Sequence, residues 1–149
     1  MNRTKIEWTD YTKGWIEALI DGEGSLSLIK ERRPKFKAGY TYKPRLNISN
    51  KNYELLEKAQ KIIGAGAIIT SKKTSFHQLD VSSNGLRYLL PKIELIVKEK
   101  QRRQLLIALR ILARRKGRGH PTSDFDIESL ERIYQNIRQF NGRVWNKPH

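Results

Sequence analysis

Cysteine is absent from this 149-residue chain, methionine occurs once and histidine three times. Without cysteine there is no disulfide framework and no thiolate zinc site, and His77, His120 and His149 are too scattered to make a metal cluster. Any resident metal must be held by oxygen. No apolar run approaches the roughly 20 residues that a membrane-spanning helix needs, and no signal peptide opens the sequence. The expectation is a soluble intracellular protein, in the cytoplasm of a prokaryote or in an organelle, without a membrane partner. At this length one compact domain, residues 1–149, can bury a core unaided.

Acidic residues are scarce as well. The 15 Asp plus Glu face 30 Lys plus Arg, a formal charge of +15 whose self-repulsion is usually retained for a polyanionic partner. The excess is clustered. Residues 30–45 carry Lys30, Arg32, Arg33, Lys35, Lys37, Lys43 and Arg45 against Glu31 alone, and residues 98–118 carry nine basic residues against Glu99 alone. A solubilising face is the bland alternative, but two such clusters favour nucleic acid.

The order of elements follows from periodicity. Thr9 can cap a helix running to about Gly22, with Gly24 suited to the turn out of it. Ser25–Leu28 and Arg45–Ser49 alternate as strands around a long basic connection holding Pro34, Gly39 and Pro44. A second helix follows, capped within Asn50–Asn52, with Leu55, Leu56, Ala59, Ile62 and Ile63 on its apolar face; a hairpin of 67–71 and 76–81 comes next. A short helix from about Ser83 to Leu90, a longer one over Ile93–Arg114 and a last one over about 123–141 complete the chain. Four strands backed by helices predict a single α+β domain, with its core over about 9–114.

Gly14, Ala18 and Gly22 recur every four residues along the first helix, and small residues at that spacing let two helix backbones approach closely. With Trp15 and Leu19 they form the expected interface with a neighbouring helix, and so few faces remain polar that the helix is expected to lie between two layers. Glu23 sits at the C-terminal end, where the helix dipole disfavours an anion by about 0.3–1 kcal/mol. A divalent cation would offset that cost. Asp21 cannot line the same site, because residues two apart on a helix point to nearly opposite sides. If two copies pack through Ala18 and Gly22, their Glu23 side chains emerge together.

The string Ile16-Glu17-Ala18-Leu19-Ile20-Asp21-Gly22-Glu23-Gly24 resembles the motif of the LAGLIDADG homing endonucleases, with its Leu-Ile-Asp core and its closing glycine. It departs at Ile16, Glu17 and Ala18, and at Glu23, where the family usually has aspartate; the glutamate keeps the charge and reaches one methylene further. The α-β-β-α-β-β-α order is similar to the family's single-copy domain, a four-stranded antiparallel DNA-binding sheet backed by helices, and leaves the last helix as an addition. No second motif occurs, which in this family implies a homodimer. The resemblance implies hydrolysis of double-stranded DNA at a long pseudo-palindromic target. It implies Mg²⁺, with Mn²⁺ or Ca²⁺ able to occupy the same site, held by Glu23 and the backbone carbonyl of Gly22. Asn50 is similar to the residue that orders water, and Lys98 to the basic residue near the scissile phosphate.

A two-stranded ribbon fits the major groove, so the outward strand face is the expected reading surface. It comprises Ser27, Ile29, Lys43, Arg45, Asn47, Ile69, Ser71, Lys73, Gln78 and Asp80. Arg45, Asn47 and Gln78 suit direct base contacts, with phosphate contact alone as the alternative. Arg32, Arg33, Lys35 and Lys37 suit the DNA backbone. An intron-splicing maturase, which would bind RNA, a catalytically silent DNA-binding regulator and a basic ribosome-associated protein of unrelated fold remain rival readings.

Overall fold

The computed structural model describes residues 6–114 and 123–142. Arg115, Lys116 and Arg118 of the second basic cluster, and the polar break at 117–121, lie outside the described residues. Helix α1 spans Asp10–Glu23, started by a reciprocal cap in which the Thr12 amide donates to Thr9 Oγ1 and the Thr9 amide donates to Thr12 Oγ1. Strand β1 (Gly24–Arg32) follows with no intervening loop. A Cβ at Gly24 would lie 2.8 Å from the Ile20 carbonyl oxygen, so the direct passage from helix to strand requires glycine for close approach rather than for a positive φ.

Strand β1 pairs antiparallel with β2 (Tyr40–Asn50), from Gly24 opposite Ile48 to Arg32 opposite Tyr40. Both strands are longer than the sequence suggests, and the connection shrinks to 33–39, where the Arg33 amide donates to the Gly39 carbonyl. Pro44 is tolerated inside β2 because β4 (His77–Val81) ends against Leu46, leaving β2 with one neighbour at that point. Helix α2 (Tyr53–Ile63) starts at the Asn52 cap and stops at Gly64, whose φ is 76°. With β3 (Ala67–Thr70) the sheet order is β1-β2-β4-β3, antiparallel throughout. Helix α3 (Ser83–Leu89), a 3-10 turn at Leu90–Lys92, α4 (Glu99–Ala113) and α5 (Asp124–Phe140) complete the α+β fold expected from the sequence.

Strand alternation puts Leu26, Leu28, Tyr42, Leu46, Ile48, Leu79 and Val81 on one buried face. Against it pack Ile16 and Ile20 of α1, Leu56 and Ala59 of α2, Leu86 of α3, Leu105 and Ala108 of α4, and Leu130, Ile133 and Ile137 of α5. Truncating one of these leucines to alanine costs about 2–5 kcal/mol. Helix α5 belongs to this core. It also covers the far half of the β1–β2 ribbon, where Tyr42 Oη donates to Glu131 and Lys30 Nζ pairs with the same carboxylate at 2.9 Å. Burial and that acceptor push the Tyr42 hydroxyl far above its ordinary pKa. No helix among the described residues is long and apolar enough to cross a membrane.

Two expectations change. Helix α4 begins at Glu99 rather than at Ile93, because the amides of Glu94, Ile96, Val97 and Lys98 are taken by carboxylates of α1 and that of Leu95 by Glu99. Helix α1 is not covered on two sides: Ile16 and Ile20 face the core, while Gly14, Ala18 and Gly22 are exposed. The other side of the helix is left open.

Candidate functional site

The acidic side chains of α1 divide by what they touch. Glu17 accepts the Glu94 amide at 2.6 Å and pairs with Lys13 at 3.0 Å. Asp21 accepts the amides of Ile96, Val97 and Lys98 at 2.7, 3.1 and 3.0 Å. These amides lead into α4, the last of them belonging to its N-cap residue Lys98, so Asp21 anchors the chain that enters the helix. Lys98 Nζ in turn donates to the main-chain oxygen of Asp21 at 2.5 Å, which fixes the lysine at the C-terminal end of α1. Glu99 secures the same segment: Arg102 donates twice to its carboxylate, and the Leu95 amide once, holding its pKa down at about 2.

Glu23 differs from both. Its side chain is exposed and has no hydrogen-bond or ion-pair partner among the described residues. It occupies the last position of α1, where carbonyl oxygens, including that of Gly22 in the same turn, lie without the usual intrahelical donors. Because Gly24 faces Ile48 in the ladder, the end of β2 at Asn50 lies at the same end of the sheet as Glu23. Asn50 Oδ1 accepts the Asn52 amide at 2.8 Å, and no acceptor within the described residues engages its side-chain NH₂. Glu23, Lys98 and Asn50 thus lie toward the same end of α1 and the sheet, without hydrogen bonds to one another.

The family model described as LAGLIDADG endonuclease matches residues 18–108. The chain belongs to this family. Comparison with curated proteins finds no match. Among solved structures, the archaeal intron-encoded homing endonuclease I-Vdi141I complexed with DNA superposes with a TM-score of 0.79 and 21% identity, over 94% of this chain and 90% of its own. The homing endonuclease I-CvuI, in complex with the I-CreI target in the presence of Mg, gives 0.73 at 16% identity, over 93% and 86%. I-TnaI gives 0.70 at 14%, over 95% and 99%. At these identities the likeness is one of fold.

This LAGLIDADG endonuclease carries its motif on α1, with Ala18 and Gly22 on the open side and Ile16 and Ile20 in the core. A Cβ built at Gly14 or Gly22 meets nothing within 4 Å. Trp15 and Leu19 are half-buried at the margin of that face, and Lys58 of α2 lies 4.5 Å from the centre of the Trp15 ring.

On the outward strand face, Ile69 is exposed, Ile29, Asn47 and Gln78 are half-buried, and Ser27 is only 7% exposed, too enclosed to reach far from the sheet; Ser71 and Lys73, expected on that face, are exposed but lie past the end of β3, in the connection to β4. Lys43 and Arg33 both pair with Glu31, at 2.8 and 2.9 Å, which lowers the Glu31 pKa through the Lys43 hydrogen bond first. Arg32, Lys35 and Lys37 are exposed around the ribbon tip. Arg45 donates to both carboxylate oxygens of Asp80 and is held still more firmly in its charged form. Sequence reasoning placed both residues on this face but missed the pair, since only the strand register brings β4 beside β2. It likewise missed Glu17 as an anchor of 94–98.

Proposed function

We propose that this chain is a site-specific endonuclease that cleaves double-stranded DNA as a homodimer, using divalent metal at Glu23. The observation that carries the reading is the isolation of Glu23: of the three carboxylates at 17, 21 and 23, two are consumed by backbone amides and one is left bare at a helix C-terminus. An uncompensated anion in that position is the donor type that Mg²⁺ takes, one carboxylate supplemented by carbonyl, water and phosphate oxygens. The residues therefore fit the ion. Among the described residues no three His, Asp or Glu side chains converge, so further ligands would come from the Gly22 carbonyl, water, DNA or a second protomer.

When bound, such a metal acts as a Lewis acid and activates water for attack on a phosphodiester. The chain's own groups do the rest. Lys98, oriented by the Asp21 carbonyl, offsets negative charge on the phosphate, and the Asn50 amide orients water by donation. The bare Gly14–Ala18–Gly22 face admits a second α1 at close range, bringing two Glu23 residues to one end of the paired helices. The basic ribbon tip then grips phosphates, and the two-fold axis of such a dimer dictates a roughly palindromic target.

Incubating the protein with Mg²⁺ and a plasmid carrying the uninterrupted host sequence tests this. Wild type should cut at one site, while Glu23→Gln should bind the same duplex and leave it intact. Cleavage retained by Glu23→Gln would sink the assignment.

A further inference from the structure

Arg45 and Asp80 meet on the outward face of the sheet in a defined geometry. Arg45 Nε donates to Asp80 Oδ1 at 2.8 Å, and Nη2 donates to Oδ2. A guanidinium has five N–H groups. This side-on pairing uses two, and the other three have no partner among the described residues. Two of the three, one each on Nη1 and Nη2, form a parallel fork at the far end of the side chain. Ser27, opposite Arg45 in β1, is too short to cover that fork, and 37% of the Arg45 side chain is exposed.

A parallel fork of donors requires two adjacent acceptors. In the major groove guanine presents them, as N7 and O6, whereas adenine pairs an acceptor with a donor, cytosine offers a donor, and thymine one acceptor beside a methyl group. Asp80 contributes in two ways. It fixes a long side chain before binding, which removes rotamer freedom that would otherwise be lost on contact. Its negative charge also disfavours a phosphate near the same guanidinium, so Arg45 is steered to a base edge rather than the DNA backbone. As a partly exposed ion pair it adds little stability, so folding alone gives a weak reason for it.

We propose that Arg45 and Asp80 form a guanine-reading unit, in which Arg45 contacts the base and Asp80 is the positioning residue that sets its specificity. This rests on the reading of the sheet as a DNA-binding face. The test is selection of bound duplexes from a randomised library by the full chain, by Arg45→Gln and by Asp80→Asn, with circular-dichroism melts to verify that each is folded. Wild type should enrich guanine at a defined position. Arg45→Gln should move that position toward adenine, which glutamine contacts in bidentate fashion, and should leave other positions unchanged. Asp80→Asn should retain bulk duplex binding while guanine preference there falls roughly tenfold. The Arg45→Gln arm reads the same position even if Asp80→Asn fails to fold. Guanine preference untouched by both variants, or enrichment without any guanine position, overturns the unit and leaves DNA binding standing. Failure of wild type to retain any duplex overturns both.

Discussion

Asp21 and Glu23 are two residues apart on the same helix, yet their surroundings are opposite. Asp21 turns toward the 94–98 segment and accepts three backbone amides, while Glu23 turns into solvent with nothing to accept. Both carboxylates sit at a helix C-terminus, where the dipole opposes an anion. Asp21 is compensated because the N-terminus of α4 lies against it; Glu23 is not. The motif therefore contains one acid that builds the fold and one that is available for chemistry.

That division can be broken most directly through activity. Glu23→Gln should lower cleavage by about a thousandfold, the several kcal/mol that metal assistance provides, with a melting temperature close to wild type. If the melt falls with the activity, Glu23 is structural too and the contrast disappears. Ala18→Glu on the open side should weaken self-association roughly a hundredfold by placing like charges across the helix pair, read by sedimentation at graded concentrations. An unchanged association state would remove α1 from the interface. Asp21→Ala should cost about 1–3 kcal/mol in denaturant melts, by leaving the amides of Ile96, Val97 and Lys98 without their acceptor, and should lower cleavage only modestly, because the main-chain carbonyl that holds Lys98 Nζ is retained.

The smallest effect concerns acid. The Arg102 guanidinium holds the Glu99 carboxyl at about 2 in the folded chain, below its ordinary value of 4.5, so its stabilisation is present above the unfolded pKa and is lost as pH falls from about 4.5 toward 2. Glu99→Gln should flatten the stability profile across that window and lower stability at neutral pH. Because the group is partly solvated, the loss should be modest. A variant whose acid melt overlays that of wild type would show that Glu99 does not hold the 95–102 segment.

The motif helix was legible because its cap, apolar spacing and termination are all local: Thr9, Ile16, Ile20 and Gly24 lie within one short stretch. The start of α4 was not. Ile93–Lys98 keeps enough apolar spacing to suggest helix, but four of its amides, those of Glu94, Ile96, Val97 and Lys98, bond to Glu17 and Asp21 from more than 70 residues away in sequence. The far ends of β1 and β2 were hidden for another reason. Lys30, Arg32 and Tyr40 do not alternate as apolar and polar, because that part of the ribbon rests on the mixed surface of α5, where Lys30 lies 4.4 Å from the Tyr40 ring centre and pairs with Glu131. At the site, residue types pointed to Glu23 at once, whereas the fork of Arg45 needed the pairing of Asn47 with Asp80 to become visible.

The join at Gly24 has a consequence for where a cut would fall. Glu23 ends the helix and the next residue already belongs to β1, so no linker separates the bare carboxylate from the strand that would lie in the groove. A strand advances about 3.3 Å per residue, close to the rise of about 3.4 Å per base pair in DNA. Under the proposed function the start of β1 is a ruler with its zero mark at Glu23: since only alternate side chains face outward, each further outward residue would reach about two base pairs farther along the duplex.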